Sequence, residues 1–200
     1  MTEVKVVEVR IWGRLVGAVA PLRGKPGSYE FQYSQVFASG NLELSPLQMK
    51  LSPKKRFSFP ALATETFHGL PGLLADSLPD IFGNALINEY LARHGTPSEE
   101  INTLQRLVYL GHRAMGALEY APASAERRSA SVQVPLDMAH LVEDARRALR
   151  GEFHNIAQDI LDIGSSADGA RAKAAIGWNA KRAKWSRHNS IYRTDMNTGC

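Results

Sequence analysis

The residues best suited to chemistry lie late in the chain, in Gly164-Ser165-Ser166-Ala167-Asp168-Gly169-Ala170-Arg171-Ala172-Lys173. Two glycines frame small hydroxyl and methyl side chains. Such a loop lets backbone N–H groups approach an anion closely, and glycine tolerates the positive φ angles that aim those groups at one point. This is how a phosphate cradle is built. The spacing fits the G-x-x-x-x-G part of a Walker loop, but Ala170-Arg171 stands where Lys-Ser/Thr belongs, and the kinase pattern G-x-G-x-x-G is absent. A helix-to-strand turn rich in Ser, Gly and Ala accounts for the same residues.

Other reactive side chains are scattered. The six histidines, at 68, 94, 112, 140, 154 and 188, form no H-E-x-x-H or comparable ligand spacing, so no metal site is expected. Asp76 and Asp80 are four apart, which on a helix would bring two carboxylates together. Ser77-Leu78-Pro79 intervenes and makes Asp80 part of a turn or helix start. The one cysteine, Cys200, excludes an internal disulfide framework.

These residues need a body to hold them. With 200 residues and 44% hydrophobic content, the chain is long enough to bury a core as one large domain or two small ones. No apolar run approaches the roughly 18 residues of a membrane span. The start, Met1-Thr2-Glu3-Val4-Lys5, has no signal-peptide h-region, so a cytoplasmic protein is expected. The net charge of +4 is unevenly placed. From Arg171 onward seven Lys/Arg face one acid, Asp195, and the preceding part is close to neutral. A basic end with Trp178, Trp185 and Tyr192 could touch nucleic acid; a solvated chain end is the simpler account.

The first 60 residues alternate as strands do. Val4 to Arg10, Leu15 to Val19 and Tyr29 to Tyr33 are expected as strands, the first two joined by a tight turn at Gly13-Arg14. Leu42-Glu43-Leu44 and Met49-Lys50-Leu51 are shorter candidates. Pro53 to Pro60 is a basic loop bounded by prolines. Helical periodicity then takes over. Phe67 to Asp76 predicts one or two short turns. Pro79 to Gly95 predicts a helix with Phe82, Leu86, Ile87, Tyr90 and Leu91 on its apolar positions. Thr96-Pro97-Ser98-Glu99 has the form of a capping box before Ile101, Leu104, Leu107 and Val108, ending at Gly111. Met115 to Tyr120 returns as a strand. Ala121 to Val134 is polar and linker-like. Helices are expected from Met138 to Arg150 and from Phe153 to Ile163, and a strand over Ala172 to Trp178. The fold class is α+β: a small antiparallel sheet or partial barrel followed by packed helices.

Several segments, in order, resemble the HipA-like serine/threonine kinases of bacterial type II toxin–antitoxin modules. They are Gly13-Arg14-Leu15-Val16-Gly17, Tyr29-Glu30-Phe31-Gln32-Tyr33, Leu44-Ser45, Gly72-Leu73-Leu74-Ala75-Asp76-Ser77-Leu78-Pro79-Asp80, Gly111 with Gly116-Ala117-Leu118, and Gly164-Ser165-Ser166 with Gly169-Ala170-Arg171 and Lys173-Ala174. The resemblance runs from Val4 to Asn179. It implies an N-terminal subdomain over 1–122, a linker over 123–135, the start of a kinase core with an N-lobe-like strand pair over 136–179, and an atypical, disordered end over 180–200.

It further implies ATP and Mg²⁺ as ligands of the complete protein, held by Gly164, Ser165, Ser166, Ala167, Gly169, Ala170 and Lys173. Ser166 matches the loop serine that the family phosphorylates on itself. The implied partner is a helix-turn-helix antitoxin, with DNA reached through it, and a protein substrate; no membrane is involved. The sequence departs from the family pattern at Asp168, where a small residue is usual, and at Ala172, where proline is common. The base aspartate and metal-binding aspartate of the family have no counterpart here, so no catalytic residue is assigned and the chain is expected to be inactive as a truncated kinase. A non-catalytic module that binds a partner kinase or antitoxin is the alternative.

Overall fold

The computed structural model describes residues 4–79, 81–93, 95, 101–114, 116–123, 147, 150, 176–179 and 184–187. They divide into two compact units. The first comprises Met1–Leu78 and Ile101–Ala125, the second Pro79–Glu100 and Glu126–Cys200. The chain is α+β, as its periodicity predicts.

The first unit is built on a five-stranded sheet, every pair antiparallel. Strand β1 (Val7–Ile11) buries Val7, Val9 and Ile11, while Glu8 and Arg10 point the other way. Those two form an ion pair, with Arg10 Nη2 2.6 Å from Glu8 Oε2, so the polar face of the strand carries little net charge. The chain reverses at Trp12-Gly13 into β2 (Arg14–Pro21). Ile11 pairs with Arg14, which places the turn one residue before the Gly13-Arg14 position expected from sequence. Trp12 (φ 50°) and Gly13 (φ 75°) both lie in the left-handed region, as a two-residue type I′ turn demands. Arg10 Nη1 donates to the Gly13 carbonyl at 3.2 Å and braces the turn.

A register shift follows. Val9 pairs with Gly17 but Arg10 pairs with Leu15, leaving Val16 as an extra residue in a β-bulge. The bulge switches which positions of β2 face inward, so Val16 and Val19 are both buried despite their odd spacing. Gly17 is required beside it. A Cβ there would lie 2.2 Å from the Gln32 carbonyl oxygen on β3.

Strand β3 (Tyr29–Tyr33) buries Tyr29, Phe31 and Tyr33, as its alternation predicts. Ser34 caps the short helix α1 (Gln35–Ala38), its Oγ accepting from the Phe37 N–H at 3.2 Å. Tyr33 meets Phe31 and Phe57 edge-on and stacks on Phe37, with centroids 4.9, 5.8 and 5.9 Å away. Phe57 comes from β4 (Arg56–Phe57), a two-residue edge strand inside the stretch read as a basic loop. The strands expected at Leu42–Leu44 and Met49–Leu51 do not form. Pro46 has no N–H to give a ladder, and the Met49 N–H turns back to the Ser45 carbonyl at 2.8 Å. Met49 is nevertheless buried, and its carbonyl accepts from the Tyr33 hydroxyl at 2.9 Å.

Helices α2 (Thr64–Phe67) and α3 (Gly72–Ala75) are single turns; α3 lies within the Phe67–Asp76 stretch expected to hold such turns, and α2 ends at Phe67, where that stretch begins. Helix α5 (Thr103–Leu110) starts later than the Thr96-Pro97-Ser98-Glu99 signal suggests; residues 96–100 lie outside the described residues, and Ile101 and Asn102 are not helical. Asn102 and Gln105 form the capping box instead. Asn102 Oδ1 accepts from the Gln105 N–H at 2.9 Å, and Gln105 Oε1 accepts from the Asn102 N–H at 2.8 Å. Leu104, Leu107 and Leu110 form its buried stripe, and Gly111 ends it. A 3₁₀ turn (Gly111–Arg113) leads to β5 (Leu118–Pro122). This strand lies along the free side of β1 and completes the order β4-β3-β2-β1-β5. Strands β4 and β5 are opposite edges, so the sheet is open.

In the second unit, α4 (Ile81–Arg93) buries Leu86, Ile87 and Leu91, three of the apolar positions expected of it. Glu89 and Arg93 form an i,i+4 ion pair at 2.9 Å. Strand β6 (Ile176–Asn179) pairs with β7 (Lys184–Arg187) as an antiparallel hairpin. The second of these strands falls in the stretch expected as an atypical end. The helices expected over 138–150 and 153–163 fall almost wholly outside the described residues.

Candidate functional site

Every residue of the expected phosphate cradle, Gly164, Ser165, Ser166, Ala167, Asp168, Gly169, Ala170 and Lys173, lies outside the described residues. Strand β6 begins three positions after Lys173, within the strand expected over Ala172 to Trp178. Among the described residues no group of His, Cys, Asp and Glu is placed to hold a metal ion. No helix among them is long and apolar enough to cross a membrane.

What the structure does bring together is the Gly72–Pro79 segment and the last strand of the sheet. Pro71 and Gly72 start α3, whose Leu74 is completely buried. The turn closes with the Asp76 N–H on the Gly72 carbonyl at 3.0 Å, which delivers Ser77 into the interior. There the Tyr120 hydroxyl donates to Ser77 Oγ at 2.6 Å. Both residues are buried. Alternation on β5 sends Leu118 and Tyr120 inward together, and a buried phenol needs a partner. The partner lies 43 residues away in the sequence, which no local pattern indicates.

Burial drives the Tyr120 phenol well above its usual range, the Ser77 hydrogen bond partly opposes this, and the nearby Asp76 charge adds to it. Tyr120 is therefore a neutral donor at any physiological pH. It cannot take a proton from Ser77. Nucleophilic catalysis by serine requires a base, and among the described residues no histidine or lysine is hydrogen-bonded to the pair. Its chemistry is positional: it pins the Gly72–Pro79 turn to β5, and through β5 to the centre of the sheet.

The remaining candidates also have structural employment. His68 is the C-cap of α2 in the left-handed conformation (φ 50°), and its carbonyl accepts from Thr103 Oγ1 at 3.3 Å. Gly69 follows it with φ 74°, so close to Gly27 that a Cβ would fall 1.8 Å from the Gly27 oxygen. The Gly69 carbonyl accepts from the Tyr29 N–H at 2.9 Å and extends the edge of β3. The Arg113 guanidinium lies 4.5 Å from the centre of the Tyr109 ring and donates to the Tyr109 and Leu110 carbonyls, closing the C-terminus of α5. Asp76 ends α3; Asp80, the other carboxylate of the pair suggested by their spacing, lies outside the described residues.

A family model described as HipA N-terminal domain matches residues 7–121, from the first residue of β1 to the fourth of β5. No curated protein matches the chain.

Proposed function

The chain belongs to the HipA N-terminal domain family, and on that premise we propose that it is the N-terminal portion of a HipA-like toxin serine/threonine kinase. The observation that carries this reading is the coincidence of the match with the sheet: all five strands of the first unit fall within it save Pro122. The family ties the chain to toxin–antitoxin modules. In the complete protein, ATP with Mg²⁺ would phosphorylate a protein target, and a helix-turn-helix antitoxin would neutralise the activity and connect it to DNA.

Phosphoryl transfer works by positioning and charge neutralisation, through metal-held phosphates, a lysine and a base aspartate. This sequence offers a loop for the phosphates, Gly164 to Lys173, with Ser166 as its self-modification site, and no segment that supplies the base and metal-binding aspartates. The chain by itself is inactive as a kinase. What favours a partner-binding role over chemistry in its described part is that the buried Ser77–Tyr120 pair ties the Gly72–Pro79 turn to the sheet with no base among the described residues hydrogen-bonded to it.

Two measurements on the purified chain test this. Labelled γ-phosphate from ATP should not be incorporated into the chain or an added protein. A helix-turn-helix protein encoded beside it should co-purify with it. Incorporation of phosphate would overturn the inactivity; absence of any complex with that protein would overturn the toxin–antitoxin role.

A further inference from the structure

The basic stretch between Pro53 and Pro60, with the residues Met49–Ser52 that lead into it, has no part in the reading above, and the structure gives this segment a definite place. Three consecutive residues of β3 hold it. The Tyr33 hydroxyl donates to the Met49 carbonyl at 2.9 Å, Gln32 Nε2 donates to the Pro53 carbonyl at 2.6 Å, and Arg56 and Phe57 pair with Gln32 and Phe31. The segment is therefore tied at its start, middle and end to a stretch of strand only about 7 Å long. Lys50, Lys54, Lys55 and Arg56 are all exposed on it.

Their charge is not balanced. From Leu44 to Thr64 the sequence has no acidic residue. Arg56 meets Glu30 at 3.2 Å, an exposed pair of the kind that contributes little and exchanges readily. Lys55 lies 5.0 Å from the centre of the Phe57 ring. Neither Lys50 nor Lys54 has a carboxylate within ion-pair distance among the described residues. Clustering like charges on a tethered loop opposes folding. The arrangement is favourable when a polyanion completes it.

We infer that this edge of the sheet binds the phosphate backbone of duplex nucleic acid. The aromatic rings of the segment decide between polyanions. Phe57 is buried and Phe59 half-buried, so no exposed ring is offered for stacking on single-stranded bases or for anchoring a protein partner. The segment is not an amphipathic helix, and the exposed large apolar residues flanking it in the chain, Leu47 and Leu62, are too few for a membrane surface. Cations without base-reading side chains contact phosphates and confer affinity without sequence preference.

The test is fluorescence anisotropy of a labelled 20-base-pair duplex with the full 200-residue chain over a salt series. Binding should weaken steeply as salt rises. Replacing Lys50, Lys54 and Lys55 together by Gln should make the slope of log affinity against log salt shallower by about 2–3 units, and Lys54→Gln alone by about one third of that. Affinity should fall on the order of tenfold per lysine at 0.1 M salt. Arginine at the same three positions should retain binding. Lys181→Gln with Arg182→Gln, in the other basic region of the sequence, should leave these differences intact. The inference is overturned if the triple variant and the parent bind alike, if binding is lost only with the Lys181/Arg182 variant, or if the chain binds phosphatidylserine vesicles and not the duplex. It is equally overturned if the parent does not bind and the triple variant self-associates, which would make the lysines guards of the sheet edge.

Discussion

The Tyr120 hydroxyl donates to Ser77 Oγ at 2.6 Å, out of contact with water, and so joins a one-turn helix to the last strand laid on the sheet. Removing the donor strands the acceptor. Tyr120→Phe should destabilise the first unit by about 1–3 kcal/mol, the cost of a buried hydroxyl without a partner. Ser77→Ala should cost a similar amount, and the double variant clearly less than the sum. Denaturant unfolding of the four proteins measures the coupling.

The same phenol sets an alkaline limit. Burial, ahead of the Asp76 charge, raises the folded-state pKa of Tyr120 above the ordinary 10.0. Burial, followed by Glu43, raises that of Tyr33. A raised pKa means that the native state holds the proton more tightly. The contribution is complete below the unfolded value and is lost as pH rises from there toward the folded value. Stability should be level up to about pH 10 and then decline, by at most about 1.4 kcal/mol per pH unit for each tyrosine. Tyr120→Phe should flatten the decline. Unfolding followed between pH 8 and 11.5 checks both slopes.

The hairpin turn holds a bulky residue where glycine or asparagine is suited. Trp12 at φ 50° is in the left-handed region and largely exposed. Trp12→Asn creates the Asn-Gly pair that type I′ turns favour. It should stabilise the chain by about 1 kcal/mol, read as a rise in midpoint on thermal unfolding.

At Gly17 the expectation reverses. A methyl group there would meet the Gln32 carbonyl oxygen at 2.2 Å and the tip of the Phe31 ring at 2.8 Å. Neither strand can yield without breaking its ladder. Gly17→Ala should cost more than about 2 kcal/mol, in the range of overpacked cores, and lower the yield of folded protein.

The capping box gives a smaller and cleaner effect. Asn102→Ala removes the acceptor for the Gln105 N–H and should cost about 1 kcal/mol. Asn102→Asp should retain most of the stability. Circular dichroism on heating separates the two variants.

Where burial follows period two the sequence was readable: Tyr29, Phe31 and Tyr33 mark β3, whereas the strand expected over Val4 to Arg10 overlaps β1 but starts three residues before Val7 and stops one short of Ile11. The α+β class followed from the change of period after Pro60. The bulge at Val16 was not legible, because an inserted residue shifts the alternation without leaving a composition signal. Strand β4 was hidden for a related reason. Two residues that follow Lys54-Lys55 resemble a loop, and only the pairing of Arg56 and Phe57 with Gln32 and Phe31 makes them an edge. Met49 misled in the other direction: it is buried by a turn and a tyrosine hydroxyl rather than by a ladder. Ser77 and Tyr120 were not singled out, because a contact across 43 residues is set by tertiary packing that no local pattern records. The Gly72–Pro79 segment carried the family signal for the fold, while the loop that carried it for chemistry lies outside the described residues.

Strand β5 imposes an order in time. Its pairing with β1 joins Val9 to Tyr120, about 110 residues later in the chain. At synthesis rates of about 5–20 residues per second, roughly 5–20 s pass between the emergence of one strand and its partner. During that interval β1 offers a bare row of backbone donors and acceptors, with Val7, Val9 and Ile11 beside it. The Gly72–Pro79 turn is made in the meantime and waits for Tyr120. A nascent chain of this kind invites capture by whatever extended segment comes first, so a holding chaperone at the ribosome, or slow growth, should raise the fraction that reaches the native pairing.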